Sequence, residues 1–285
     1  MRKILAAVAV VALCGLGGCQ TGAGAEAASP SSQVSSSSAN ASYQVSNLAD
    51  KASVAEVTAA LKTALPAADV EKFMGLVKDY NDTIQNTSLT SGFQTKAPEY
   101  DMAAISELWQ KSKGTFVGTD CRINTFTLLK DTIESRASGS DGTLLFMDLE
   151  AIQDGKLFDG PDTEKFQQLF SRIPTESTKD VKVHAQKMRE HFASFDFGSK
   201  ASMVSVVVHD TLEGSYLFVG HVGVLVADQG GYLFLEKLTF EEPYQALKFQ
   251  TKEACFQYLL GKYSAYTDEH SAKPFIMENG ELAAS

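Results

Sequence analysis

Apolar residues recur at spacings of three and four through the first two-thirds of the chain. Val54, Val57, Leu61 and Leu65 predict a helix from Ser53 that Pro66 ends. Val70, Phe73, Leu76, Val77 and Tyr80 predict a second helix, and Ile105, Leu108 and Trp109 a third, after a loop around Pro98. A fourth starts after Gly118-Thr119-Asp120 and carries Ile123, Phe126, Leu129 and Ile133 on one face. Residues 139–142 read as a turn and 144–147 as a short strand. Residues 164–173 and 178–195 read as two further helices separated by Pro174. From Met203 the period changes. Residues 203–208 are β-branched and apolar, 210–214 a polar turn, 216–226 a long apolar strand, 228–231 a hairpin turn, and 232–238 the returning strand. A helix over 251–266 and a strand over 274–277 close the chain. Helices first and an antiparallel sheet afterwards give an α+β fold, one domain over residues 43–285.

The first 42 residues follow a different pattern. Arg2 and Lys3 precede ten apolar residues, Ile4 to Leu13, too few to span a ~30 Å hydrocarbon core as a helix but suited to a signal peptide. Leu16-Gly17-Gly18-Cys19 resembles a bacterial lipobox, which implies cleavage of residues 1–18 and acylation of Cys19. Residues 19–42 then form a tether. Eight of the fourteen residues from Ser29 to Ser42 are serine, leaving nothing to bury. Such a chain reaches about 25–30 Å from a bilayer. The expectation is an exported protein held on the outer face of the cell membrane by lipid. Composition agrees with a globular remainder: 44% hydrophobic and 21% charged residues exclude collagenous, coiled-coil and wholly disordered chains. Net charge is −10, and losing Arg2 and Lys3 with the signal makes it −12. That balance argues against nucleic acid as a partner.

Two segments carry candidate chemistry. In Gly118-Thr119-Asp120-Cys121-Arg122-Ile123-Asn124, Thr119 or Asp120 is a plausible N-cap, which places Cys121 in the first helical turn. Free backbone N–H groups, the helix dipole and Arg122 are expected to lower the thiol pKa there. The N–H groups of Cys121 and Arg122 are candidate oxyanion donors. In Gly220-His221-Val222-Gly223-Val224-Leu225-Val226, alternation puts His221, Gly223 and Leu225 on one face, and the glycines are expected to leave room beside the imidazole. The returning strand brings Glu236 within about one register step of His221. A thiol, an imidazole and a carboxylate so placed form a nucleophile–base–orienter set.

These words resemble the NlpC-type branch of papain-like cysteine peptidases, whose members cleave amide bonds in cell-wall peptides. The resemblance implies a papain-like core, with Cys121 as nucleophile, His221 as base and Glu236 as orienter. It departs from that branch in its long Cys–His separation, in Arg122-Ile123 after the Cys, and in Glu at the third position. The mature chain also resembles an uncharacterised bacterial lipoprotein family, a domain of unknown function, through residues 118–124, His209-Asp210, 220–226, 241–245 and 273–277.

Plainer readings stand beside these. Cys121 and Cys255 form an even pair in an exported chain, so a disulfide between them is one alternative and a buried thiol another. Glu236 reads equally as a surface charge. His184 and His191, seven residues apart on a charged helix, read as a solvated face, and Asp210 as a turn cap. The segment 241–245 reads as a loop. No metal-ligand spacing, phosphate-cradling glycine loop or Gly-x-Ser-x-Gly elbow is present, so no metal and no cofactor is implied. Two function classes follow: a surface-tethered cysteine hydrolase, or a non-catalytic lipoprotein that binds a ligand or protein partner.

Overall fold

Asp50 begins the helical half of the molecule. Its carboxylate accepts the Ala52 and Ser53 N–H groups and so caps α1 (Lys51–Lys62), which buries Val57, Ala60 and Leu61. Pro66 then immediately precedes α2 (Ala67–Thr83), which buries Val70, Phe73, Val77 and Tyr80. A short strand, β1 (Gln44–Ser46), comes before α1, and α3 (Met102–Lys113), α4 (Cys121–Leu129) and β2 (Ile133–Ser135) follow α2. The computed structural model describes residues 43–198 and 200–285, which fall within one compact unit. The segments expected to be a signal peptide and a tether, with Cys19 between them, lie outside the described residues.

Three sequence expectations change here. The predicted strand over 144–147 is instead a 3₁₀ turn, Thr143–Leu145, running into α5 (Phe146–Gly155). Four apolar residues in a row fit either element, and periodicity could not separate them. The fourth helix stops at Leu129, and Ile133 begins β2, because the Thr132 N–H and hydroxyl both turn back to the Leu129 carbonyl. The presumed loop over 241–245 ends in a strand that pattern reading missed, described below.

Next come α6 (Gly160–Phe170), the two-residue β3 (Ile173–Pro174), α7 (Val181–Phe192) and β4 (Phe195–Phe197), which pairs with β2. The main sheet is built from β5 (Ala201–Asp210), β6 (Tyr216–Asp228), β7 (Gly231–Lys237), β8 (Tyr244–Phe249), β9 (Phe275–Glu278) and β10 (Glu281–Ala284); α8 (Lys252–Tyr263) lies between β8 and β9. Its order is β1-β8-β7-β6-β5-β9-β10, with β3 also on β6, and every pairing is antiparallel. The fold is therefore α+β, as the period change predicts.

Two cores lie on the two faces of this sheet. One draws apolar side chains from all of α1–α7 and meets the sheet through Met203, Val207, Val222, Val224, Leu233 and Leu235. The other is closed by α8, with Cys255, Phe256 and Leu259 packed on Val204, Val206, Leu225 and Phe234. The β5–β6 pairing slips by one residue: Val206 opposes His221, but Val207 opposes Val219. Gly220 is the extra residue of this β-bulge. Val219 and Val222 consequently face the same core, three positions apart.

Candidate active site

Cys121 is the first residue of α4. Asp120 is extended, and its side chain accepts the Ile123 N–H at 3.0 Å, so the cap that the motif predicts is formed. Almost every side chain of α4 is buried, as expected of a helix enclosed on all sides. It is held by β6 and β7 on one side and by α2 and α5 on the other. The backbone N–H groups of Cys121 and Arg122 make no hydrogen bond among the described residues.

The expected fall in the thiol pKa is not found. Burial, followed by the Asp120 charge, pushes the Cys121 thiol well up. Arg122 opposes that rise, but its charge is engaged elsewhere. The guanidinium donates to both oxygens of Asp148, at 2.9 and 2.8 Å, and lies 3.3 Å from Asp120 Oδ2. Its remaining arm donates to the Val219 carbonyl at 3.2 Å. Asp148 is fully buried on α5, and burial and then Asp120 push its carboxyl upward against the pull of Arg122. Two acids thus share one guanidinium beside the thiol.

His221 and Glu236 are brought together. The imidazole Nε2 lies 2.6 Å from Glu236 Oε2, both side chains are buried, and they face the α8 side of the sheet. The other Glu236 oxygen accepts from the Tyr258 hydroxyl at 2.9 Å and from Lys262 Nζ at 3.0 Å. Burial alone would raise this carboxyl; Lys262 and the His221 hydrogen bond outweigh it and hold the pKa at about 2. Glu236 is therefore a carboxylate and His221 Nε2 the donor. The other nitrogen, Nδ1, makes no hydrogen bond among the described residues. Tyr263 stacks on the ring at 4.9 Å. The glycines do not leave room beside His221. A Cβ on Gly223 would lie 2.4 Å from the Phe234 ring, and one on Gly220 would lie 2.7 Å from Val208, so both glycines serve close packing.

The thiol and the dyad flank the same stretch of β6, Cys121 among the residues of the helical core and the dyad on the α8 side. The last ladder pair between β6 and β7 is Val224–Leu235. Beyond it the Val222 backbone lowers the Cys121 pKa, a smaller influence than burial and Asp120, which raise it. The next residue, His221, carries the carboxylate contact. No hydrogen bond joins Cys121 to His221 among the described residues. Cys121 and Cys255 are both free and belong to the two different cores, so no disulfide joins them.

Several side chains around the candidate site were not read from the sequence. Tyr258 and Lys262 sit four apart on α8, a spacing that puts both on one helix face. Lys237 is buried and faces the helical core. Strand parity carried that signal: if Glu236 faces one core, Lys237 must face the other. His184 corrects another expectation. It is fully buried, with its ring 4.3 Å from that of His209, while His191 is half-buried with Nε2 on the Leu169 carbonyl. Asp210 does cap its turn, accepting the Leu212 N–H at 3.0 Å.

A family model described as a domain of unknown function (DUF4300) matches residues 44–283. The chain belongs to that family. The match takes in α4, the β6–β7 hairpin and α8, so Cys121, His221 and Glu236 all lie within the DUF4300 domain. No curated protein and no solved structure matches the chain. Among the described residues no group of His, Cys, Asp and Glu is arranged to hold a metal ion, and no helix is long and apolar enough to cross a membrane.

Proposed function

We propose that this DUF4300 protein is an exported lipoprotein, anchored to the outer face of the cell membrane through Cys19, that hydrolyses amide bonds in cell-wall peptides with a papain-like thiol site. The observation that carries the reading is the buried His221–Glu236 pair, with His221 Nδ1 left unengaged, on the strand against which α4 packs with Cys121 at its start. Glu236 fixes the proton on Nε2 and leaves Nδ1 as an acceptor. In the first step the Cys121 S–H proton passes to Nδ1 and sulfur bonds to the carbonyl carbon. The oxyanion is received by the N–H groups of Cys121 and Arg122. Nδ1 then gives its proton to the departing amine as the C–N bond breaks. Water, deprotonated by His221, cleaves the thioester and restores the thiol.

Digestion of purified cell wall by wild type and by Cys121→Ala tests this reading. Release of new amino groups by wild type alone is expected. Equal release by both proteins, or none by either, overturns it. The alternative, a non-catalytic lipoprotein that binds a ligand or protein partner, is favoured by one specific observation: the resting thiol is buried and its pKa raised.

A further inference from the structure

A catalytic thiol that is buried at rest needs a part of the fold that controls access to it. Lys237, the last residue of β7, is buried inside the helical core, yet no carboxylate pairs with it among the described residues. Glu241 and Glu242 are close in sequence, but the ammonium bonds only to backbone. It donates to the carbonyls of Thr239 at 2.8 Å, of Phe240 at 3.2 Å and of Glu242. All three of its protons are thus directed at a single loop, residues 238–243 between β7 and β8. The Tyr80 ring lies 4.1 Å below the ammonium, and the Tyr80 hydroxyl donates to the Glu241 carbonyl of the same loop. Burying an ammonium without a counter-ion is costly, and here it organises the loop rather than a salt bridge. The burial also lowers the lysine pKa, to about 7, against Glu242 and Asp120, which raise it.

The loop rests on the segment that leads into Cys121. Gly118 adopts φ +92°, and a Cβ there would lie 3.5 Å from the Phe240 carbonyl oxygen, one of the three that Lys237 holds, and 2.9 Å from the Trp109 ring. Gly118 is three residues before the thiol. We propose that Lys237 is a positioning residue that latches loop 238–243 onto the cap of α4, and that release of this latch opens the way to Cys121. The inference rests on the proposed thiol site for its biological meaning, but its test does not require activity.

Iodoacetamide labelling of Cys121 and Cys255 in the folded protein, followed by mass spectrometry, separates a local latch from general loosening, because Cys255 lies in the other core. In Lys237→Met, Cys121 is expected to label at least about tenfold faster, as local opening of a buried group requires, while Cys255 stays at the wild-type rate. Lys237→Arg keeps a cation with several donors and is expected to restore slow labelling of Cys121. Unchanged Cys121 labelling in Lys237→Met, or acceleration of both cysteines together, overturns the latch. If Lys237→Met does not fold, Gly118→Ala decides, since it presses on the same contact from the other side and is expected to speed Cys121 alone; a flat result there overturns the latch. Failure of the latch leaves the cell-wall digestion result standing, and loss of digestion by Cys121→Ala says nothing for or against the latch.

Discussion

The two faces of the central sheet place charge in opposite ways. On the helical face, Arg122 answers two carboxylates at once, Asp120 and Asp148, while Lys237 answers only carbonyls. On the α8 face, one carboxylate answers three donors, from His221, Tyr258 and Lys262. The first cluster has acid in excess, and burial works against ionising it. The second has donors in excess, and its acid stays ionised. A carboxylate with both oxygens engaged is well suited to orienting an imidazole. A thiol set beside two acids sharing one guanidinium is held in its protonated form. For the proposed hydrolase, the contrast puts the obstacle on the Cys121 side of β6, not in the dyad.

The largest break in this comparison is expected from Arg122→Met. It leaves Asp148 and Asp120 buried without a cation and should cost about 3–5 kcal/mol in urea unfolding. Adding Asp148→Leu to Arg122→Met should recover much of that loss, because removing both charges is far cheaper than removing one. A double variant no more stable than the single would show that the two acids are not coupled through the guanidinium.

A smaller loss is expected from Glu236→Gln. The amide keeps the shape but gives up charge-assisted bonds to His221 and Lys262, for about 1.5–3 kcal/mol. The imidazole should also lose its fixed Nε2 proton, which nitrogen-15 chemical shifts of His221 would report directly. If the tautomer is unchanged in this variant, Glu236 is not the orienter.

Acid should separate the two faces with the smallest energetic effect. His209, at the end of β5 on the helical side, accepts the Ala272 N–H at Nδ1 and contacts Ser215 Oγ through Nε2. Burial and then His184 lower its pKa. The unfolded chain therefore binds a proton more readily than the folded one, and stability is lost as pH falls below about 6.5. Glu236 behaves differently: its stabilisation holds at pH above the ordinary carboxylate value and fades only as pH approaches about 2. Asp148, whose carboxyl is raised, acts in the opposite sense over this range, and half-buried His191 acts in the same sense as His209. In thermal melts from pH 7.5 to 5, His209→Ala should therefore lose less stability, or gain more, than wild type, while Glu236→Gln should run parallel to wild type.

Much of this was legible in the sequence because it depended on local spacing. The three-four rhythm of Val57, Leu61, Val70, Phe73 and Val77 marked the helical layer, and the cap at Asp120 placed Cys121 at a helix start. The hairpin turn brought Glu236 back to His221. What escaped was decided by partners distant in the chain. Arg122 looked like a free cation until α5, 26 residues on, delivered Asp148. β8 opens with Tyr244 and Gln245, whose side chains bond to Asn124 of α4 and to Tyr100 just before α3, so its burial could not be read from its own residues. His184 looked solvated because its helix is highly charged; its ring packs on His209, and both ring nitrogens find partners in Thr175 and Thr178.

The bulge at Gly220 bears on how relatives of this protein are compared. Before it, odd-numbered residues of β6 look into the helical core; after it, even-numbered ones do. A relative with one residue fewer in that strand would have to carry its histidine one position displaced to reach the same carboxylate. An alignment that placed no gap there would pair the histidine of the buried pair with a core valine, and the pair would seem absent where it had only been miscounted.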